Sequence, residues 1–145
     1  GKSEMVSSGR TKGFTLIELL IVTVVIAILA TISIVAYSNV QQRSRDSAAA
    51  NAASQLSTKV EVWNSQLGHY PSNSDVTGGL INAKAAGAEL GLELRNKVIT
   101  TGVGNITNNK PINYKACGTS PNFTGAEITY KKSNFSEVIR RGKGC

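Results

Sequence analysis

Few side chains in this sequence could do chemistry. The 145 residues include one histidine, His69, and two cysteines, Cys117 and Cys145. His69 has no Cys, Asp or Glu at ligand spacing, so a surface place in a turn is expected and a metal site is not. Gly102-Val103-Gly104-Asn105 lacks the rest of any phosphate-binding loop and is predicted to be a turn between strands. So small a stock of chemical parts points away from an enzyme, and neither a cofactor nor a catalytic residue is expected. Two charged features remain. One is Glu18, the only charge in the 24 residues FTLIELLIVTVVIAILATISIVAY, positions 14–37. The other is a basic tract from Lys110 to Cys145 with seven Lys or Arg against Glu127 and Glu137.

Glu18 must be judged against the segment that carries it. A helix of 24 residues rises about 36 Å, enough for a hydrocarbon core of roughly 30 Å. The run is longer than the ~7–15 apolar residues of a cleaved secretory signal. Before it lie Lys2, Arg10 and Lys12 against Glu4, which places the N-terminus in the cytoplasm and the rest outside. Hydropathy alone would accept a plain membrane anchor. A carboxylate inside an apolar helix costs about 2.5–3.5 kcal/mol on insertion scales, so it needs a partner or a purpose. A plain anchor supplies neither.

The string Gly13-Phe14-Thr15-Leu16-Ile17-Glu18, after a short basic leader and before LLIVTVVIAILATISIVAY, resembles the type IV pilin signature. The resemblance implies that residues 1–13 are a leader, and that a prepilin peptidase cuts the Gly13–Phe14 bond and N-methylates Phe14. The cut would create an α-amino group, positive at neutral pH. Two opposite charges in apolar surroundings cost less together than apart, so Glu18 of an incoming subunit would pair with the Phe14 amine of its neighbour and fix register. The implied product is a helical filament of identical subunits. Its precursor would sit in the cytoplasmic membrane, head outward, and the assembly machinery would then extend it as a surface pilus for adhesion, motility or DNA uptake.

Positions 14–67 contain neither Gly nor Pro, which permits one unbroken helix. Residues 14–37 form its transmembrane and filament-core half. Residues 38–67 form an amphipathic half, with Ala48, Ala52, Leu56, Val60, Trp63 and Leu67 on one face. Gly68-His69-Tyr70-Pro71 stops the helix and resembles the turn after the long helix of many pilins. Residues 72–97 connect onward, with a short Ala-rich helix expected within Leu80–Leu94. Strands are predicted at Lys97–Val103, Ile112–Ala116, Glu127–Lys132 and Glu137–Arg141. The expected class is α+β: a long helix packed on a three- or four-stranded antiparallel head, residues 68–145. So small a head needs a staple. Cys117 and Cys145 are either two free thiols or that staple, and they resemble the family's C-terminal disulfide region.

Within the basic tract, Lys131, Lys132, Arg140, Arg141 and Lys143, with aromatic residues near, could bind DNA through backbone charge and stacking. A solvated face is the plainer reading. Asn105, Asn122 and Asn134 head Asn-x-Thr/Ser sequons of the kind common in Asn-rich sequence. The leading expectation is a pilus structural subunit. The alternatives are a competence-type DNA-binding pilin and a secretion-system pseudopilin; the latter often carries an acidic calcium loop near its end, which is not seen here.

Overall fold

The computed structural model describes residues 13–145; the predicted leader, Gly13 apart, lies outside the described residues. The chain divides into two units, the first ending at Gln41 and the second running Gln42–Cys145. Helix α1, Leu16–Leu67, contributes to both without interruption, as the absence of Gly and Pro predicts.

In the first unit α1 carries an 18-residue window of mean hydropathy 3.0, none of it buried. Its few hydroxyls are satisfied locally. Thr23 donates to the Leu20 carbonyl at 2.8 Å, Thr31 to Ala27 at 2.9 Å and Ser33 to Leu29 at 2.8 Å. These internal bonds leave an apolar cylinder that a bilayer, or other helices like it, can surround.

In the second unit α1 buries Ala49, Ala52, Ala53, Leu56, Ser57, Val60 and Trp63. The stripe is wider than predicted. Ala48 is exposed and Leu67 half-buried, while Ala49, Ala53 and Ser57 join the packed face. Gly68, at φ 80°, ends the helix, and its N–H caps the Asn64 carbonyl at 2.8 Å. The chain then returns along the sheet. The Tyr70 N–H donates to the Phe123 carbonyl at 2.9 Å, and the buried Tyr114 hydroxyl donates to the Pro71 carbonyl at 2.7 Å.

The connecting segment departs from expectation. No helix forms across Leu80–Leu94; instead α2 spans Asn73–Thr77 and α3 spans Leu92–Arg95. Ser72 and Asp75 form a capping box at the start of α2. Between the two helices, Gly79 and Leu80 take positive φ and the chain turns repeatedly. Leu80, Ala85, Ala88, Leu90 and Leu94 are all buried, but at spacings no single helical face can serve. Lys59 Nζ and Gln66 Nε2 tie this segment to α1 through the Gly87 and Ala86 carbonyls, each at 2.9 Å.

Four strands follow: β1 Val98–Ile99, β2 Ile112–Cys117, β3 Gly125–Lys132 and β4 Phe135–Gly142. They lie side by side in that order. β2, β3 and β4 form the antiparallel meander, but β1 pairs parallel to β2, Val98 opposite Ile112, so the sheet is mixed. β1 is also shorter than the predicted Lys97–Val103. Gly102, at φ 123°, turns the chain into a 3-10 turn at Val103–Asn105, and its N–H donates to Asn113 Oδ1 at 2.9 Å. The loop after Ile99 brings the chain back beside the start of β1, which makes the pairing parallel. Ile112, Tyr114, Ala126 and Ile128 close the core over Leu56, Val60 and Trp63.

Candidate functional site

The N-terminal motif stands open. Phe14 is 82% exposed, and no described atom lies within 4 Å of where a Cβ would stand at Gly13. Packing among the described residues therefore does not require glycine at position 13. Two residues on, α1 begins with a reciprocal cap: the Glu18 N–H donates to Thr15 Oγ1 at 3.0 Å, and the Thr15 N–H donates to Glu18 Oε2 at 3.3 Å. Sequence reasoning missed this role, though Thr15-Leu16-Ile17-Glu18 carries the capping-box spacing. Glu18 thus satisfies one orphan N–H at the positive end of the helix, where a carboxylate is favoured. Its other oxygen makes no bond among the described residues.

The basic residues are dispersed. On the β3–β4 hairpin, Lys132 lies opposite Phe135 at the turn, whereas Arg141 lies opposite Ala126 near the far end. Lys132 stands six positions from Ala126 on β3, about 20 Å along a strand. Four of the five have a local partner among the described residues. Arg140 Nε meets Glu127 Oε2 at 2.9 Å, the one ion pair among the described residues, and Arg141 Nε donates to Ser57 Oγ at 2.8 Å. Lys131 Nζ donates to Asn108 Oδ1 at 3.0 Å, and Lys132 Nζ sits 6.0 Å over the Phe135 ring. Lys143 is exposed beyond the end of β4. No common patch results. Among the described residues no group of three or more His, Cys, Asp or Glu could hold a metal, and His69 lies in the turn, Nδ1 3.0 Å from the Tyr70 carbonyl.

The cysteines are joined. Cys117 ends β2 and pairs with Cys145, Cα to Cα 5.1 Å, so the C-terminal stretch is tied back to the sheet. Beside it, Gly125 faces Gly142 across β3 and β4. A Cβ at Gly142 would strike the Thr124 carbonyl oxygen and the Tyr70 ring, so the close approach there depends on glycine. The Tyr70 hydroxyl reaches across to Glu61 Oε1 at 2.6 Å. Burial, reinforced by that bond to a carboxylate, pushes its pKa up to about 12.

A profile described as the prokaryotic N-terminal methylation motif matches residues 9–34. The type IV major fimbrial protein FimA of Dichelobacter nodosus is 35% identical over 106 residues, covering 66% of this chain and 68% of that protein. A fimbrial protein of Neisseria meningitidis serogroup B is 30% identical over 105 residues, 72% of this chain and 62% of its own length. The fimbrial protein EcpC of Eikenella corrodens is 42% identical over 67 residues, 46% of this chain and 44% of its own. No solved structure is a significant match. With the methylation motif matched and the FimA match spanning 68% of that protein at 35% identity, the chain belongs to the type IV pilins, a family of pilus structural subunits with no known catalysis.

Proposed function

We propose that this chain is the building unit of a type IV pilus, a major pilin. It would be held in the membrane through residues 14–37 until it is built into the filament. The observation that carries the reading is one charged residue in a fully exposed apolar helix, placed four residues after an exposed Phe that follows an unpacked Gly. Prepilin peptidase would remove residues 1–13 and methylate Phe14, with the N-terminus on the cytoplasmic side and the head, residues 68–145, outside. In the filament Glu18 would meet the Phe14 amine of a neighbour. Lipid gives no hydrophobic drive between helices, so a charge pair is what can select one register. Dispersal of the basic residues favours a filament role in adhesion or motility over one in DNA uptake.

The capping box sharpens the test. Glu18→Gln keeps a side chain that can cap Thr15 but removes the charge, whereas Glu18→Ala removes both. Register by charge predicts that both variants insert in the membrane and that both lose surface filaments, counted by electron microscopy of sheared cells. Normal filaments with Gln and none with Ala would mean that helix capping, not charge pairing, is what Glu18 supplies.

A further inference from the structure

We infer that the membrane-held form sits in the bilayer at a set depth, with Leu19–Ala36 in hydrocarbon, Tyr37 at the outer headgroup boundary and Glu18 at the inner one. The inference rests on the anchored reading above and uses the first unit alone. The apolar run at positions 14–37 rises about 36 Å, which is about 6 Å more than a typical hydrocarbon core. About four residues must lie outside that core, unless the helix tilts to hold them all. The start of the run is the end that can leave. Positions 13–15 carry no helix, and non-helical backbone exposed to lipid is not tolerated in hydrocarbon. Helix α1 begins at Leu16, and the bonds that cap it join polar groups of Thr15 and Glu18. The second Glu18 oxygen has no bond among the described residues, and water or a headgroup can meet it at the boundary where hydrocarbon cannot.

The other end has its own marker. Between Glu18 and Tyr37 stand the uncharged residues Leu19–Ala36, about 27 Å of helix and close to the thickness of the core. Thr23, Thr31 and Ser33 in this span all bond carbonyls of their own helix, so nothing in it calls for water. Tyr37 is 65% exposed, and its apolar ring with a polar tip is the kind of side chain that bilayer interfaces favour. The polar Ser38 and Asn39 follow it. Depth set this way decides where the Glu18 carboxylate is met. In the bilayer it lies at the headgroup layer, and the Gly13–Phe14 bond lies beyond it, non-helical and outside hydrocarbon, where a peptidase can reach it. Only among the apolar helices of a filament does the carboxylate need a neighbour's amine.

Because Cys117 and Cys145 are joined, a single added cysteine can carry a nitroxide label. The full-length chain, reconstituted in vesicles of phosphatidylcholine and phosphatidylglycerol, is labelled one site at a time through Gly13→Cys, Leu19→Cys, Val25→Cys, Ile28→Cys and Ala36→Cys. Depth is read from relaxation by oxygen, which enters hydrocarbon, against a water-soluble nickel chelate. The label at position 28 should be deepest, those at 19 and 36 equally shallow, and the one at 13 open to the chelate. Tyr37→Ala should shift the deepest position and Tyr37→Trp should not, with circular dichroism showing both variants folded. A label at 25 deeper than at 28, or a label at 13 shielded from the chelate, would mean that the whole run is immersed with tilt, and would overturn the proposal. A profile unmoved by Tyr37→Ala would overturn it as well, by removing Tyr37 as the outer marker. Chelate access at every position, 28 included, would instead overturn the anchored reading beneath it. Filament assembly is not needed for any of these readings, so loss of filaments in a Glu18 variant is a separate result.

Discussion

At Glu18 one carboxylate caps its own helix through Thr15 and, in the proposed filament, would also meet a neighbour's amine. It is the only charge available to the apolar surface around it. Neither demand alone explains the residue: a Gln would cap, and a plain membrane helix would do without the charge. Asp46 shows the opposite economy, with three donors converging on one exposed carboxylate. The Ser133 hydroxyl, then the Ser133 N–H, then Gln42 and the nearby Lys132 hold its pKa below the ordinary 3.8. A group whose folded pKa is depressed lends stability above its unfolded value and loses it as pH falls through the folded one. Docking of the Ser133 turn on α1 should therefore be complete above about pH 4 and weaken below it. The Ser133 amide chemical shift checks this: it should titrate in the acid range, and Asp46→Asn should abolish that titration while leaving the Tyr114 amide in place.

The elements of the head depend on a few close contacts. Leu56 is fully buried between α1 and the sheet, so Leu56→Ala should cost about 2–5 kcal/mol in denaturant unfolding. Gly142→Ala should destabilise as well, because φ is 69° there and the added methyl meets the Tyr70 ring, with backbone strain alone worth about 1–2 kcal/mol. Opening the Cys117–Cys145 loop should cost at most about 3.6 kcal/mol by chain entropy, read as a lower unfolding midpoint in a Cys117→Ser/Cys145→Ser variant. How far these elements could be foreseen follows their physics. α1 was legible because 54 residues without Gly or Pro leave the chain little alternative, and β2 and β3 because β-branched and aromatic residues gather there between turn-forming Gly, Asn and Pro, although burial along them does not alternate. β4 was weakly signalled because it is an edge strand with every residue exposed or only half-buried. The parallel pairing of β1 was not legible, since two residues carry no direction and the return through Gly102 is a tertiary choice. The false Ala-rich helix came from composition. Its alanines are buried one at a time in turns, which helical periodicity does not report. At the candidate site the motif Gly13, Phe14 and Glu18 was visible as spacing. The separation of Lys132 from Arg141 was not, because residues nearby in sequence sit at opposite ends of a hairpin.

For the molecule as a whole, the two units divide the labour of a filament subunit. The first offers an uninterrupted apolar surface with one charge near its start, and the second a compact, stapled and net basic head. With the basic residues dispersed and Lys131, Lys132, Arg140 and Arg141 each locally partnered, duplex DNA should not be retained by filaments at about 0.15 M salt. Replacing Lys131, Lys132, Arg140 and Arg141 by Gln should leave that result unchanged; retention that vanishes in the four-site variant would restore the DNA-uptake role. The most direct measurement is intact-mass analysis of the subunit in filaments sheared from cells expressing this chain, alongside micrographs of the same preparation. The expected result is abundant filaments of a subunit that begins at Phe14, carries one added methyl group and retains the Cys117–Cys145 bond. Filaments without this chain, or a filament subunit that still carries residues 1–13, would contradict it.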